Sequence, residues 1–207
     1  MKAGRRGRHH ESVTQEIIAT ARAIMREEGA AALSMQELAR RLDMRAPSLY
    51  NYFSGKNEIY DALFRIGFDQ FDAYIEAKVA GAQTWQEELS RSLEAYMAFA
   101  LENPELYQLC FERPVPGFVP SPASLEISFG VLRRAYVTAG RWREMTQSDL
   151  SDQQMADLVL AVMHGLTALH MANEPNLPVG QGRFGGLISA AVSLFHTAWS
   201  RPLGSER

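Results

Sequence analysis

The side chains best equipped for binding chemistry lie close together between Arg45 and Lys56. This stretch carries guanidinium, phenol, amide, hydroxyl and ammonium groups, all of which donate hydrogen bonds, and it contains no carboxylate. Phosphate oxygens accept hydrogen bonds from every one of these side-chain types. The residue types therefore point to a partner that carries phosphate.

Two short helices are predicted to position these side chains. Ser34 with Glu37 three residues later is the pattern of a capping box, in which each side chain satisfies a backbone N–H at the helix start. Pro47 suits the first turn of a second helix, where its missing N–H has no partner to lose. With residues 43–45 as the turn, the range 34–53 is predicted to be a helix-turn-helix, whose second helix enters the DNA major groove.

Within the stretch APSLYNYFSGKNEIYDAL the chain resembles the TetR family of bacterial transcriptional regulators. The family signature has a Leu-Tyr pair, an aromatic residue two positions on, a Phe, and a Lys that opens the next helix. Those places are filled by Leu49, Tyr50, Tyr52, Phe53 and Lys56. The resemblance is specific over residues 11–71 and concerns only the architecture beyond them.

The turn departs from the usual family pattern at two positions. Asp43 stands where Gly is common, and Arg45 stands where a Ser or Thr cap is common. Asp tolerates the left-handed conformation better than most residues, so we expect the turn to form. Without a cap hydroxyl the second helix is expected to be less stable by about 1 kcal/mol, unless DNA or a neighbouring group replaces the cap.

Phosphate anchors and base-reading groups can be distinguished by side-chain type. Tyr50, Tyr52 and Lys56 are expected to bind phosphates, with packing against the first helix as the alternative for Tyr52. Asn51 is suited to adenine, and Arg45 to guanine or equally to a phosphate. The remaining candidate DNA contacts are Ser34, Ala46, Pro47 and Ser48.

Charge is distributed unevenly along the 207 residues. Residues 1–56 hold ten basic and six acidic side chains, a net charge of +4, so the remainder carries −7 of the total of −3. This asymmetry is typical of a basic DNA-reading module attached to an acidic body. Four of the ten basic side chains lie in a tail, 1–10, that we expect to be disordered. That tail is either simply solvated or an arm that adds phosphate affinity.

The expected fold is all-α with about nine helices. Strand patterns are scarce, and helix-forming residues dominate the periodic segments. The expected domains are a three-helix DNA-binding domain at 11–71, a ligand-binding and dimerisation domain at 72–200, and a tail at 201–207. Helices are predicted over 12–28, 35–42, 47–53, 56–79, 84–103, 104–112, 122–139, 151–172 and 183–199.

The resemblance implies a small-molecule effector, bound in the C-terminal domain, that relieves repression. A hydrophobic or aromatic effector is expected, and core packing is the alternative role for each candidate residue. The candidates are Tyr96, Phe99, Phe129, Tyr136, Met163 and His164.

The last two long helices are predicted to form a homodimer, as the resemblance implies. The first of them is apolar on nearly every side and so must be covered on both faces. A dimer would read a palindromic operator in double-stranded DNA. The candidate interface residues are Val159, Val162, Leu166, Leu187, Ile188, Ala191 and Phe195.

Other classes of function have little support in the sequence. The histidines lack paired metal-ligand spacing, and no phosphate-cradling Gly loop or nucleophile motif occurs, so we expect no enzyme, metal or cofactor.

Cys110, the single cysteine, fits a reducing compartment. No apolar segment follows the basic N-terminal residues, and the stretch Leu158–Met171 is too short for a bilayer. We therefore expect a cytoplasmic protein, with a non-catalytic helical adaptor as the alternative.

Overall fold

The computed structural model describes residues 2–200, with side chains from residue 7 onward. Every regular element in that range is helical, as predicted, and no strand occurs within it. The predicted tail 201–207 lies outside the described residues, as do the side chains of residues 1–6.

Ten α-helical segments follow one another in the described range. A 3₁₀ turn, Ala30–Ala32, precedes the second, and a π-helical turn, Gln108–Glu112, follows the sixth. The helices are α1 (Lys2–Glu28), α2 (Met35–Arg41), α3 (Ala46–Leu49), α4 (Lys56–Val79), α5 (Trp85–Glu102), α6 (Pro104–Tyr107), α7 (Pro122–Thr146), α8 (Asp152–Asn173), α9 (Gly182–Gly185) and α10 (Ile188–Trp199).

Capping residues explain where the best-predicted helices begin. The Ser34 hydroxyl accepts a hydrogen bond from the Glu37 N–H at 3.2 Å, and α2 begins at Met35 as predicted. Ser151 and Gln154 form both bonds of a capping box at the start of α8. The bounds predicted for α4, residues 56–79, are confirmed.

Helix α1 begins ten residues before the predicted start at Ser12. Its backbone is helical from Lys2, where we expected a disordered tail. Extending an existing helix needs no new nucleus, and the buried part of α1 from Ile17 onward provides that nucleus. No proline in 2–11 interrupts the helix.

Two predicted boundaries near glycines are wrong. Gly140 does not end α7, because the helix continues to Thr146. A Cβ at this position would lie 3.0 Å from an Asp152 carboxylate oxygen, so the glycine allows close approach instead. The last predicted helix, 183–199, is split into α9 and α10. A Cβ at Gly186, in the turn between them, would lie 2.7 Å from the Gly182 carbonyl oxygen.

The compact unit that contains α2 and α3 is built from two ranges, Met1–Phe68 and Asn103–Ile127, whereas the expected domain 11–71 is continuous. The later range is attached through a buried carboxylate, that of Glu105, which has no exposed side-chain surface. The Nε of Arg22 donates to one of its oxygens at 2.8 Å, and the Nε of Arg26 donates to the other at 2.9 Å. Both guanidinium groups come from α1.

A second carboxylate holds the other end of the same range. Asp61 in α4 accepts hydrogen bonds from the Ser121 N–H at 2.7 Å and from the Ser124 hydroxyl at 2.8 Å. Burial alone would raise the pKa of the Asp61 carboxyl, but these hydrogen bonds outweigh burial and lower its pKa below the ordinary value. The Asp61 carboxylate therefore stays ionised where it binds Ser121 and Ser124, at the start of α7.

The second unit comprises Asp69–Glu102 and Ser128–Arg207. Its core is rich in aromatic rings: the ring centroids of Trp85 and Trp199 are 5.4 Å apart, and those of Phe195 and Trp199 are 4.8 Å apart. The indole N–H of Trp142 donates to Glu88 at 2.8 Å, so the buried polar atom is satisfied.

Replacement of Glu105 by Gln is expected to destabilise the fold. The amide keeps the size of the side chain but loses the charge and one acceptor, so we expect the free energy of unfolding to fall by about 1–3 kcal/mol. Urea denaturation monitored by circular dichroism measures this change. The matched control is Glu112→Gln, at an exposed position in the same range, which should change stability by less than about 0.5 kcal/mol. Equal stabilities of the two variants would contradict the role given to Glu105.

Candidate nucleic-acid interface

Helices α2 and α3 form the helix-turn-helix that the sequence predicts. Asp43 adopts the left-handed conformation in the turn, with φ of 50°, which is the conformation that its side chain was expected to tolerate. Arg45 occupies the cap position of α3 and makes no side-chain cap hydrogen bond. The second helix therefore lacks the usual side-chain cap in this structure.

Helix α3 is shorter than predicted, because it ends at Leu49 instead of near Phe53. The N–H groups of Asn51 and Tyr52 bond to carbonyls three residues earlier, so the chain tightens into a turn after the first helical turn. The side chains of Leu49 and Phe53 are buried, as predicted, and anchor this short helix to the core of its unit.

All the predicted DNA-contact residues remain accessible. Tyr50 is 56% exposed, and the other exposed members are Ser34, Arg45, Pro47, Asn51 and Lys56. Ala46, Ser48 and Tyr52 are half-buried. The Tyr52 ring lies against His10 of α1, with ring centroids 4.7 Å apart. The packing alternative considered for Tyr52 is thus present alongside its partial exposure.

Both arginines of α2, Arg40 and Arg41, are neutralised by carboxylates. Arg41 contacts Glu27 at 2.6 Å, Glu28 at 2.5 Å and Glu37 at 2.8 Å. Hydrogen bonds from Arg40 and Arg41 lower the pKa of Glu37 to about 2. Glu37 consequently does not complete the predicted capping box, since its carboxylate faces these arginines instead of the Ser34 N–H.

The remaining positive charges in the motif lie on its exposed surface. Arg45 and Lys56 form no ion pair within residues 7–200. Lys56 is the first residue of α4, where backbone N–H groups favour an anion. No pattern in the sequence indicates the role of Glu58, whose carboxylate accepts the Ser54 N–H at 2.6 Å and so fixes the loop in front of Lys56.

The predicted effector residues all belong to the second unit. The Tyr96 hydroxyl lies 3.1 Å from the Nδ1 of His164, so the structure brings this pair together. Tyr96, Phe99 and Met163 are buried, and Phe129 is about half exposed. Tyr136 is half-buried on α7. A cavity of about 300 Å³ in this unit is lined by other residues, namely Lys78, Glu94, Val179, Gly180, Gly185, Gly186, Ile188 and Ser189.

The predicted dimer residues divide into buried and accessible sets. Val159, Ile188 and Phe195 are buried within the protomer, and Leu187 is exposed. Val162, Leu166 and Ala191 are half-buried. The large exposed apolar side chains of α8 and α10 that the sequence analysis missed are Leu158, Leu169 and Leu194. A helix that is apolar all round gives no periodic signal for which face is inside.

Two family descriptions match the chain. The one for bacterial regulatory proteins of the tetR family matches residues 17–63, and the one for a tetracyclin repressor-like C-terminal domain matches residues 89–184. Together they cover more than half of the sequence. The chain belongs to the TetR family of bacterial transcriptional regulators. In this family the helix-turn-helix domain binds DNA.

The match to the C-terminal domain also includes helix α8. With 22 residues, α8 is long and apolar enough to cross a membrane, contrary to the expectation that this stretch is too short. The range 89–184 contains all of α8. The helix is therefore part of a TetR-type C-terminal domain.

Curated relatives of this TetR-family chain carry the same kind of name. The HTH-type transcriptional regulator Rv1816 of Mycobacterium tuberculosis (strain ATCC 25618 / H37Rv) is 28% identical over 123 residues, which are 58% of this chain and 53% of the relative. The uncharacterized HTH-type transcriptional regulator YobS of Bacillus subtilis (strain 168) is 36% identical over 102 residues, 46% of this chain and 50% of the relative. The chain spans about half the length of the curated relatives it matches.

Solved structures share the TetR fold over nearly the whole chain. A protein of unknown function from Rhodococcus sp. RHA1 superposes with a TM-score of 0.76 at 20% identity, covering 91% of this chain and 95% of that one. FadR from Bacillus subtilis, in complex with stearoyl-CoA, gives a TM-score of 0.71 at 16% identity, covering 89% and 98%. At these identities the likeness demonstrates the fold.

Proposed function

We propose that this chain is a homodimeric repressor that binds a palindromic operator through α3 and leaves it when a small molecule binds the second unit. The supporting observation is the surface formed by Arg45, Tyr50, Asn51 and Lys56. Its four residues are exposed, and the range 45–56 that supplies them contains no Asp or Glu. Such a surface meets the two needs of sequence-specific binding, which are phosphate anchors and groove-facing polar groups.

Phosphates are contacted from both ends of the motif. Tyr50 donates its phenolic O–H, Lys56 supplies charge beside the backbone N–H groups of α4, and Ser34 lies at the start of α2. Arg45 and Asn51 contact base edges or, for Arg45, a neighbouring phosphate. Ala46, Pro47 and Ser48 line the part of α3 nearest the bases, with Tyr52 beside them. These residues are together the full set of DNA contacts predicted from the sequence.

A second copy of the chain covers the apolar face left exposed on α8 and α10. Leu194 is 65% exposed, and Leu158, Leu169 and Leu187 are also exposed. Three exposed leucines on the two helices, with Leu187 directly before α10, are characteristic of a protein interface. We place the half-buried Val162, Leu166 and Ala191 at its margin. Val159, Ile188 and Phe195 support this interface from inside the protomer.

The proposed effector is a hydrophobic or aromatic small molecule. Tyr96, which pairs with His164, and the buried Phe99 each have a ring centroid 5.5 Å from that of Phe71. An apolar site with few polar groups is the usual character of a small-molecule site. Met163, Phe129 and Tyr136 complete the proposed lining. FadR of Bacillus subtilis, which shares the fold, binds stearoyl-CoA. We place the protein in the cytoplasm, where its DNA lies.

Operator binding should depend on Lys56 and Tyr50. Lys56→Ala should weaken binding to all DNA sequences and reduce the slope of log K against log salt concentration by about 0.9, because the variant neutralises one phosphate fewer. Tyr50→Phe removes one hydrogen-bond donor and should cost about 0.5–1.5 kcal/mol. Fluorescence anisotropy with duplex DNA from the region upstream of this chain's own gene measures both effects.

Lys78→Ala, at an exposed position in the second unit, is the charge-matched control and should leave the salt slope unchanged.

Arg45→Ser adds the missing cap hydroxyl, so it should raise the free energy of unfolding by about 1 kcal/mol while weakening operator binding. Unchanged affinity in both Lys56→Ala and Tyr50→Phe would refute the proposed interface. If the wild-type protein did not bind heparin in a salt-dependent manner, the alternative function, a non-catalytic helical adaptor, would be favoured.

The dimer should be disrupted by charge on its exposed apolar face. Leu194→Glu places a carboxylate where the partner would bury it, so the variant should sediment as a monomer at micromolar concentration. Analytical ultracentrifugation measures the oligomeric state. The control is Val137→Glu, an exposed apolar position on α7 that should remain dimeric. A dimer that persists in Leu194→Glu would show that another surface joins the protomers.

The effector should act through Tyr96 and His164. Compounds extracted from protein purified from its own cells should lower the operator anisotropy of the wild-type protein. Tyr96→Phe should raise the concentration for half-release by about two- to tenfold, since the variant lacks the phenolic hydroxyl proposed to bond to the effector. The control Tyr74→Phe removes a hydroxyl that bonds to Glu102 and should respond like wild type. An unaltered response in both Tyr96→Phe and His164→Ala would exclude this pair from the effector site.

A further inference from the structure

The first turns of α1 extend away from the core of their unit as a helix. Its first fully buried side chain is Ile17, and residues 7–12 are all exposed. Helical backbone over 2–12 amounts to about 16 Å at 1.5 Å per residue. An exposed segment of this kind contributes little to the hydrophobic core. A role other than packing must therefore be inferred from its position and its charge.

The segment is fixed beside the DNA-contact surface through one aromatic contact. The His10 ring lies against Tyr52, with ring centroids 4.7 Å apart and an angle of 32° between the ring planes. Tyr52 lies between Tyr50 and Lys56 in the chain, in the same motif. His10 is therefore adjacent to the surface that meets the phosphates.

The charged side chains at the start of this segment are all basic. Residues 2–8 contain four basic side chains, and the first acidic residue is Glu11. Arg8 is exposed and forms no ion pair within the described part of the chain. Farther along α1, by contrast, Arg22 and Arg26 are both bound to Glu105. Positive charge without internal partners is suited to a polyanion.

We propose that residues 2–10 form a helical arm that binds DNA phosphates next to those contacted by Tyr50 and Lys56. The arm is held in place by the contact between His10 and Tyr52, so it acts as an ordered part of the interface. It adds affinity for any DNA sequence and extends the contacted length beyond the major groove read by α3. The inference rests on the proposed DNA-binding function.

The charge of the arm is tested with a variant in which its four basic residues are replaced by Gln, K2Q/R5Q/R6Q/R8Q. The slope of log K against log salt concentration should fall by about 0.9 for each phosphate that the variant no longer neutralises. The ratio of operator to non-operator affinity should stay unchanged, because phosphates carry no sequence information. The control with the same change of net charge is K78Q/R133Q/R141Q/R183Q in the second unit, which should keep the wild-type slope.

The ordered placement of the arm is tested with two neighbouring histidines. His10→Ala removes the ring that packs on Tyr52 and should weaken DNA binding by about three- to tenfold with a smaller salt slope. His9→Ala makes the same change one residue away, where no ring contact occurs among residues 7–200, and should have a smaller effect. Equal effects of the two variants would mean that the segment acts only as an unstructured charged tail, which would overturn the proposal.

The outcomes also separate the arm from the proposed function. If the fourfold Gln variant keeps the wild-type salt slope while Lys56→Ala lowers it, the arm does not contact DNA and the helix-turn-helix still does. If neither variant changes DNA binding, the proposed function itself fails. If the fourfold Gln variant loses binding to anionic lipid vesicles but not to DNA, the arm has a membrane partner and the proposal is wrong.

Discussion

A carboxylate that is removed from water must find cationic or hydrogen-bonding partners, and Glu105 finds them on α1. Arg22 and Arg26 reach it from successive turns of that helix, so α6 is held against the helix that braces the DNA-binding motif. Asp61 makes the corresponding attachment at the start of α7 through Ser121 and Ser124. The side chains of Glu105 and Asp61 thus bind the range Asn103–Ile127 to the DNA-binding unit. For this reason the compact unit is larger than a three-helix domain.

Ion pairing also decides where positive charge remains for a partner. Counted along the sequence, the first 56 residues have a modest excess of basic side chains. In the folded unit Arg40 and Arg41 are bound to carboxylates of α1 and α2, and this network keeps the Glu37 carboxyl ionised. Arg45 and Lys56, in contrast, are exposed and form no ion pair within residues 7–200. A small total excess of basic residues therefore leaves unpaired positive charge in the helix-turn-helix.

Local chemistry in the sequence predicted the features that depend on neighbouring residues. The cap at Ser151, the left-handed Asp43 and the absence of a cap at Arg45 all follow from side chains within four positions. The accessibility of the residues proposed to contact DNA was also predictable, because burial of Leu49 and Phe53 turns the other side of α3 outward. Features that depend on distant residues were not predictable. Glu105 meets Arg22 across 83 positions, and Gly140 looks like a helix end until Asp152 is placed against it. In α8 apolar residues on every side leave the buried face undetermined.

The shortness of α3 limits how much sequence one protomer can recognise. Only Ala46–Leu49 are helical, so few side chains can reach base edges from a single copy. A recognition element of about four base pairs recurs by chance thousands of times in a genome that offers about 10⁶ or more competing sites. In the proposed dimer, selectivity for one promoter comes from requiring two such elements at a fixed separation and orientation. Recognition of the right gene then depends as much on the geometry between the two copies as on the bases that either copy contacts.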